Sequence, residues 1–184
     1  MRLFIGLPVP GSLAKALAHF AQGIHLPKAR WVPPENIHLT LIFLAEVAED
    51  RLPCIVHALD GLEPQGLFLR LTVLGAFPRA GVLFADVEPN PKLLTLQSRV
   101  AARMAVCGFA LDPRPYHPHI TLARMRPPAR LARNPPTLPP AVQRSFPVEQ
   151  INLYRSHTTP TGARYEVLAT RPAGRALAIP DWLS

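Results

Sequence analysis

The chain has 184 residues, of which 48% are hydrophobic and 17% charged, and its 20 Lys and Arg against 12 Asp and Glu give a formal net charge of +8. A chain of this length can bury a real core, and an apolar content this high excludes a disordered polymer. No apolar run reaches the roughly 18 residues of a membrane span, so a soluble protein is expected.

Arg2 to Val9 reads as a strand; its apolar stretch is too short for a secretory segment and breaks at Pro8. Gly11-Ser12 then opens a helix through about Ile24, with Leu13, Leu17 and Phe20 at helical spacing and Ser12 as its expected cap. Trp31 to Asn36 forms a turn into a second strand, Ile37 to Leu44. A short helix from about Glu49 to Leu59 follows, then strands at about Leu67 to Phe77 and Gly81 to Val87. The spacing predicts a longer helix from about Pro91 to Cys107, with proline in its first turn and Gly108 at its end. Another strand covers about His119 to Arg124. Arg126 to Pro147 holds seven prolines and little periodicity, which reads as a long exposed loop. Strands at about Glu149 to Ser156 and Arg164 to Thr170 close the chain. This order predicts an α+β fold with a largely antiparallel sheet and no linker between independent domains.

Two compositional features bear on function. Proline, at 23 residues against 10 glycines, is interleaved with periodic apolar segments and therefore punctuates a fold. The cationic excess is almost all arginine, the better phosphate fork, which suggests an anionic partner; a bias of genome base composition would give the same signal. Cys54 and Cys107 sit in apolar, helix-like surroundings and are expected to be small unpaired core residues in a reducing cytoplasm.

The informative motif is a near-duplication, His38-Leu39-Thr40-Leu41 and His119-Ile120-Thr121-Leu122. Residues i and i+2 of a strand share a face, so each copy presents an imidazole and a hydroxyl together, with apolar residues behind. If the two strands lie side by side, two imidazoles face one cleft. One neutral and one protonated imidazole can then pass protons to and from the oxygens of an in-line displacement at phosphorus. The hydroxyls, with a cation nearby, can hold the non-bridging oxygens.

Here the chain resembles the two-histidine (2H) phosphoesterases, in their branch of bacterial and archaeal RNA 2′,3′-cyclic phosphodiesterases, also called 2′-5′ RNA ligase-like proteins. Arg2-Leu3-Phe4-Ile5, Trp31-Val32 with His38 to Leu44, and Phe77-Pro78-Arg79 with Val82-Leu83-Phe84 carry the resemblance. So do Arg114 to Arg124, Leu153 to Ser156, and Gly162 with Tyr165 to Leu168. The resemblance implies one domain over residues 1–184 with two pseudo-symmetric lobes, two mainly antiparallel sheets lining a central cleft and helices outside. It implies hydrolysis of RNA 2′,3′-cyclic phosphate ends to 2′-phosphomonoesters without metal or cofactor, by a monomer. Carried over by motif, His38 would be the proton donor, His119 the acceptor, and Thr40, Thr121 and Arg124 the phosphate-binding residues. In a regular strand Arg124 has the opposite parity to His119 and Thr121, so reaching the phosphate needs a bend or a bulge.

Tyr116 and His117 are possible substrate contacts, and Trp31 and Phe43 could also stack on a base. For Phe43, which shares parity with Leu39 and Leu41, core burial is the expectation, and Tyr154 and Tyr165 are expected to fill strand faces. His117, His119 and His38 could instead form a zinc site, although the paired threonines would then have no role. Three other uses stay open: a non-catalytic basic RNA-binding protein, a reversible 2′-5′ RNA ligase, and a phosphodiesterase for small cyclic nucleotides or cyclic ADP-ribose derivatives.

Overall fold

The computed structural model describes residues 1–26, 28–110, 112–125, 137–160 and 162–174. Its elements are β1 (Arg2–Pro8), α1 (Gly11–Gln22), β2 (Arg30–Trp31), β3 (His38–Glu46), α2 (Leu52–Ala58), β4 (Phe68–Leu69), β5 (Leu71–Phe77), β6 (Val82–Val87), α3 (Pro91–Val106), β7 (His119–Arg124), β8 (Phe146–Pro147), β9 (Gln150–Thr159) and β10 (Gly162–Pro172). The strands pair antiparallel in the order β10-β9-β1-β3-β7-β6-β5, with β2 also on β7, and β4-β8 form a separate ribbon. Two half-sheets therefore run edge to edge, and a single residue pair, Leu39 with Ile120, joins them.

One face of this sheet is apolar and carries the helices. Leu3, Ile5 and Leu7 of β1, Leu39 and Leu41 of β3, and Ile120 and Leu122 of β7 share a continuous core with Leu17 of α1, Ile55 of α2 and Leu93, Val100 and Met104 of α3. The i, i+3, i+4 recurrence of apolar residues on α1 and α3 makes this possible, because it gathers them into one stripe. The opposite face is left free for polar residues, and the duplicated motifs lie there.

α3 starts as its sequence predicts. Asn90 is the cap, its side-chain oxygen accepting from the Leu93 amide at 3.0 Å, and Pro91 occupies the first turn. Past the end of α3, Gly108 takes φ of 80°, a left-handed conformation that glycine adopts without a Cβ penalty. α1 differs from expectation: the residue at its cap position is Pro10, and Ser12 lies inside the first turn without a capping bond.

Two further expectations are corrected. Residues 126–136 of the expected exposed loop lie outside the described residues, but the remainder is not exposed throughout. Leu138, Val142 and Phe146 are buried, and β8 pairs with β4. Proline density hid three apolar anchors. Cys54 and Cys107 are not separate thiols; they form a disulfide with Cα atoms 6.0 Å apart, tying α2 to the C-terminal end of α3. Closing a loop whose ends are separated by 53 positions in sequence is worth about 4 kcal/mol in the chain-entropy account. The pairing removes the argument for a reducing compartment that rested on two free thiols. Among the described residues, no helix is long and apolar enough to cross a membrane.

Candidate active site

The joint between the half-sheets organises the site. Leu39 and Ile120, the second residues of the two motifs, pair across it and point into the core. Continuing that antiparallel register sets His38 beside Thr121 and Thr40 beside His119. The two imidazoles and two hydroxyls thus share the free face of the sheet about a local pseudo-twofold axis.

Each imidazole is oriented in the same way. His38 Nδ1 lies 2.7 Å from the Asn36 carbonyl, and His119 Nδ1 lies 2.7 Å from the His117 carbonyl. A carbonyl only accepts, so Nδ1 carries the hydrogen in both rings and Nε2 is left to exchange a proton. His38 Nε2 lies 3.0 Å from Thr40 Oγ1, within hydrogen-bond reach of its own motif's hydroxyl.

Aromatic walls surround both rings. Phe4 stacks on His38 with centroids 4.7 Å apart, and Tyr165 meets it edge-on at 5.3 Å. Phe77 and Phe84 hold His119 at 5.2 and 5.1 Å. Burial is the main reason that the His38 pKa is lowered to about 4; the Asn36 carbonyl opposes this, and the charges of Arg124 and His119 add to it. The His119 pKa is lowered for the same leading reason, with the His117 carbonyl and the Asp86 carboxylate opposing and the charges of His117 and Arg124 adding. Both rings are therefore neutral at pH 7 in the free protein, and His38 is the harder one to protonate.

Bulges decide which later residues join this face. In β7, Phe84 aligns with Thr121 but Leu83 aligns with Ala123, so Leu122 is the extra residue. That bulge inverts the alternation, and Arg124 emerges on the same face as His119 and Thr121. The parity obstacle is removed, and the guanidinium charge reaches both histidines as well as Tyr165 on β10. β3 repeats the device: Ile5 aligns with Ile42 and Gly6 with Thr40, so Leu41, again the fourth motif residue, is extra. Phe43 is turned out of the core, which corrects the expectation of burial; it is 64% exposed and tilts against Phe4 on the imidazole face. It occupies the position in the first motif that Arg124 occupies in the second.

The other candidates fall in different places. The Tyr116 hydroxyl donates to the Thr40 carbonyl at 2.9 Å, and burial pushes its pKa up, so its hydroxyl ties the second motif's lead-in to β3. His117 donates from Nε2 to Asp86 at 2.7 Å. Among the described residues, no three or more His, Cys, Asp or Glu side chains gather as a metal-holding group. Trp31 pairs with Ala123 and packs against the core from the helix-bearing face, away from the imidazoles.

Sequence reasoning missed Asn36, Gly6 and Tyr165. Asn36 is buried; its amide donates to the Ala163 carbonyl at 2.6 Å while its own carbonyl holds His38. Gly6 lies against His38: a Cβ there would stand 2.8 Å from the Leu39 carbonyl oxygen and 3.2 Å from the imidazole. Tyr165, expected to fill a strand face, is half-buried and forms one wall of the His38 pocket. The carbonyls that hold the two histidines belong to the backbone, which no residue type announces, and the Gly6 and Tyr165 contacts exist only once β1, β3, β9 and β10 are aligned.

Comparison with known proteins gives the family and the fold. The family model of the 2′-5′ RNA ligase superfamily matches residues 9–160. A Thermus thermophilus protein named RNA 2′,3′-cyclic phosphodiesterase is 36% identical, over 91% of this chain and 88% of its own. A Methanocaldococcus jannaschii protein of the same name is 29% identical, over 91% of this chain and 98% of its own. The crystal structure of Escherichia coli LigT complexed with 3′-AMP superimposes with a TM-score of 0.84 at 27% identity, covering 95% of this chain and 98% of that one.

Proposed function

The chain belongs to the 2′-5′ RNA ligase superfamily and is a cyclic phosphodiesterase, and from that premise we propose that it opens the 2′,3′-cyclic phosphate at an RNA end to a 2′-phosphomonoester with His38 and His119 as its proton carriers. The observation that carries this reading is the pair of Nδ1-anchored imidazoles whose Nε2 atoms are left for proton exchange on one sheet face.

In the proposed reaction His119 Nε2 takes a proton from a water whose oxygen attacks phosphorus. The bond from phosphorus to the 3′ oxygen breaks, and His38 Nε2–H gives its proton to that oxygen. The products are a 2′-phosphomonoester and a 3′-hydroxyl, and the pair ends with its proton on His119. Transfer back through solvent restores the starting state. Thr40 and Thr121 donate to the non-bridging oxygens and Arg124 holds their charge. The proton affinities of the free protein put a first proton on His119 rather than His38. The family's assignment of His38 as donor therefore requires the bound anion to draw that proton to His38. We read the chain as one domain with two lobes, each supplying one motif, and as a monomer. Both proton carriers are side chains, so the reading needs no metal.

The test is an RNA oligonucleotide ending in a 2′,3′-cyclic phosphate, incubated with the protein and EDTA. The expected product carries its phosphate on the 2′ oxygen alone. A 3′-phosphate product, or turnover abolished by EDTA, would refute the reading.

A further inference from the structure

Resting on the phosphodiesterase reading, we propose that Arg30 contacts the phosphodiester adjacent to the terminal cyclic phosphate and thereby favours an RNA strand over a cyclic mononucleotide. The observation is a juxtaposition of like charges. β2 pairs with the end of β7 so that Arg30 stands directly opposite Arg124 and Trp31 opposite Ala123. Directly opposed residues of an antiparallel pair project to the same face. Ala123 is fully buried and Trp31 packs on the core from that side, so Arg30 and Arg124 share the imidazole face.

The position is fixed by backbone. The amide of Val32 donates at 2.9 Å to the carbonyl of Leu122, the extra residue of the bulge. The bulge that turns Arg124 into the site therefore also anchors the segment presenting Arg30.

Opposed like charges are destabilising in a sheet. Among the described residues neither Arg30 nor Arg124 has a carboxylate partner, whereas Arg2, Arg70, Arg114 and Arg171 are paired with Glu46, Glu88, Asp112 and Asp60. Two arginines whose Cβ atoms stand about 5 Å apart can offer their guanidinium groups to two neighbouring anions. Arg124 acts on both histidines and so takes the reacting phosphate. Arg30, one strand beyond, takes the next one, and only a chain of at least two nucleotides supplies it.

The experiment compares kcat/KM for a pentanucleotide ending in a 2′,3′-cyclic phosphate with that for 2′,3′-cyclic AMP. In Arg30→Gln the oligonucleotide-to-mononucleotide ratio is expected to fall about tenfold, the scale of one charge-assisted hydrogen bond. Arg30→Lys should retain most of the ratio. A ratio unchanged in Arg30→Gln, whether because both substrates suffer equally or because neither does, would overturn the proposal. Binding of the same pentanucleotide with an unreactive 3′-phosphate end, followed by fluorescence anisotropy against salt, is independent of turnover. Loss of one phosphate contact should reduce the log–log salt slope by about 0.7 in Arg30→Gln. An unchanged slope would overturn the proposal. Absence of turnover together with an Arg30-dependent slope would remove the reaction while supporting the contact.

Discussion

His38→Ala and His119→Ala are each expected to lower kcat on a cyclic-phosphate RNA end by about 10²–10⁴-fold, the usual span for a lost general acid or base. The loss should fall on kcat more than on binding, because Thr40, Thr121 and Arg124 remain. Removing His38 also removes one of the two rings stacked on Phe4, the other being Tyr154, so His38→Asn is the companion variant that limits the cavity. Two carriers acting in one step are strongly non-additive, and the double variant should be little worse than either single one. Rates measured under single turnover would check this; a His119→Ala protein near wild-type turnover would sink the paired mechanism.

Arg124→Ala is expected to cost about 10²–10³-fold in kcat, as for other fixed donors aimed at developing phosphoryl or oxyanion charge. It should also move the titration. The guanidinium lowers the pKa of both histidines, so its removal should raise both, carrying the acidic limb of the pH profile to higher pH. Arg124→Lys should restore part of the titration effect and less of the rate, since an ammonium supplies charge without the planar fork. A loss of rate with no movement of the acidic limb would mean that Arg124 acts elsewhere than beside the imidazoles.

Much of the fold and of the site is legible in the sequence. The strand from Arg2, the helix from Pro91 and the strand from His119 to Arg124 follow from local periodicity and punctuation, and the face shared by His38 and Thr40, or His119 and Thr121, follows from strand geometry alone. The parts that are not legible are long-range. Whether Leu41 or Leu122 is accommodated as a bulge depends on how β1 and β6 align with them, and that alignment sets the side on which Phe43 and Arg124 emerge. Parity counting therefore buries Phe43 wrongly and leaves Arg124 on the wrong face without a bulge. Cys54 and Cys107 become partners because α2 lies against the end of α3, which no local pattern around either cysteine announces. The segment from Leu138 to Phe146 is anchored by β4, far away in sequence. In each case a distant strand or helix supplies the missing term.

The most direct test of the paired-imidazole claim is the pH dependence of kcat/KM for wild type and for the two histidine variants. The free protein carries a proton on one imidazole only between the two apparent pKa values, the lower near 4 from His38 and the upper below 6.5 from His119. Below that window both rings are charged and no base remains; above it both are neutral and no acid remains. A bell is predicted for kcat/KM, its acidic limb near pH 4 from His38 and its basic limb set by His119, whose pKa burial lowers, with the kcat profile displaced upward because a bound phosphate anion favours the imidazolium forms. Each single variant should lose the bell. A wild-type profile flat from pH 4 to 7, or a bell that survives in His38→Ala, would contradict the account.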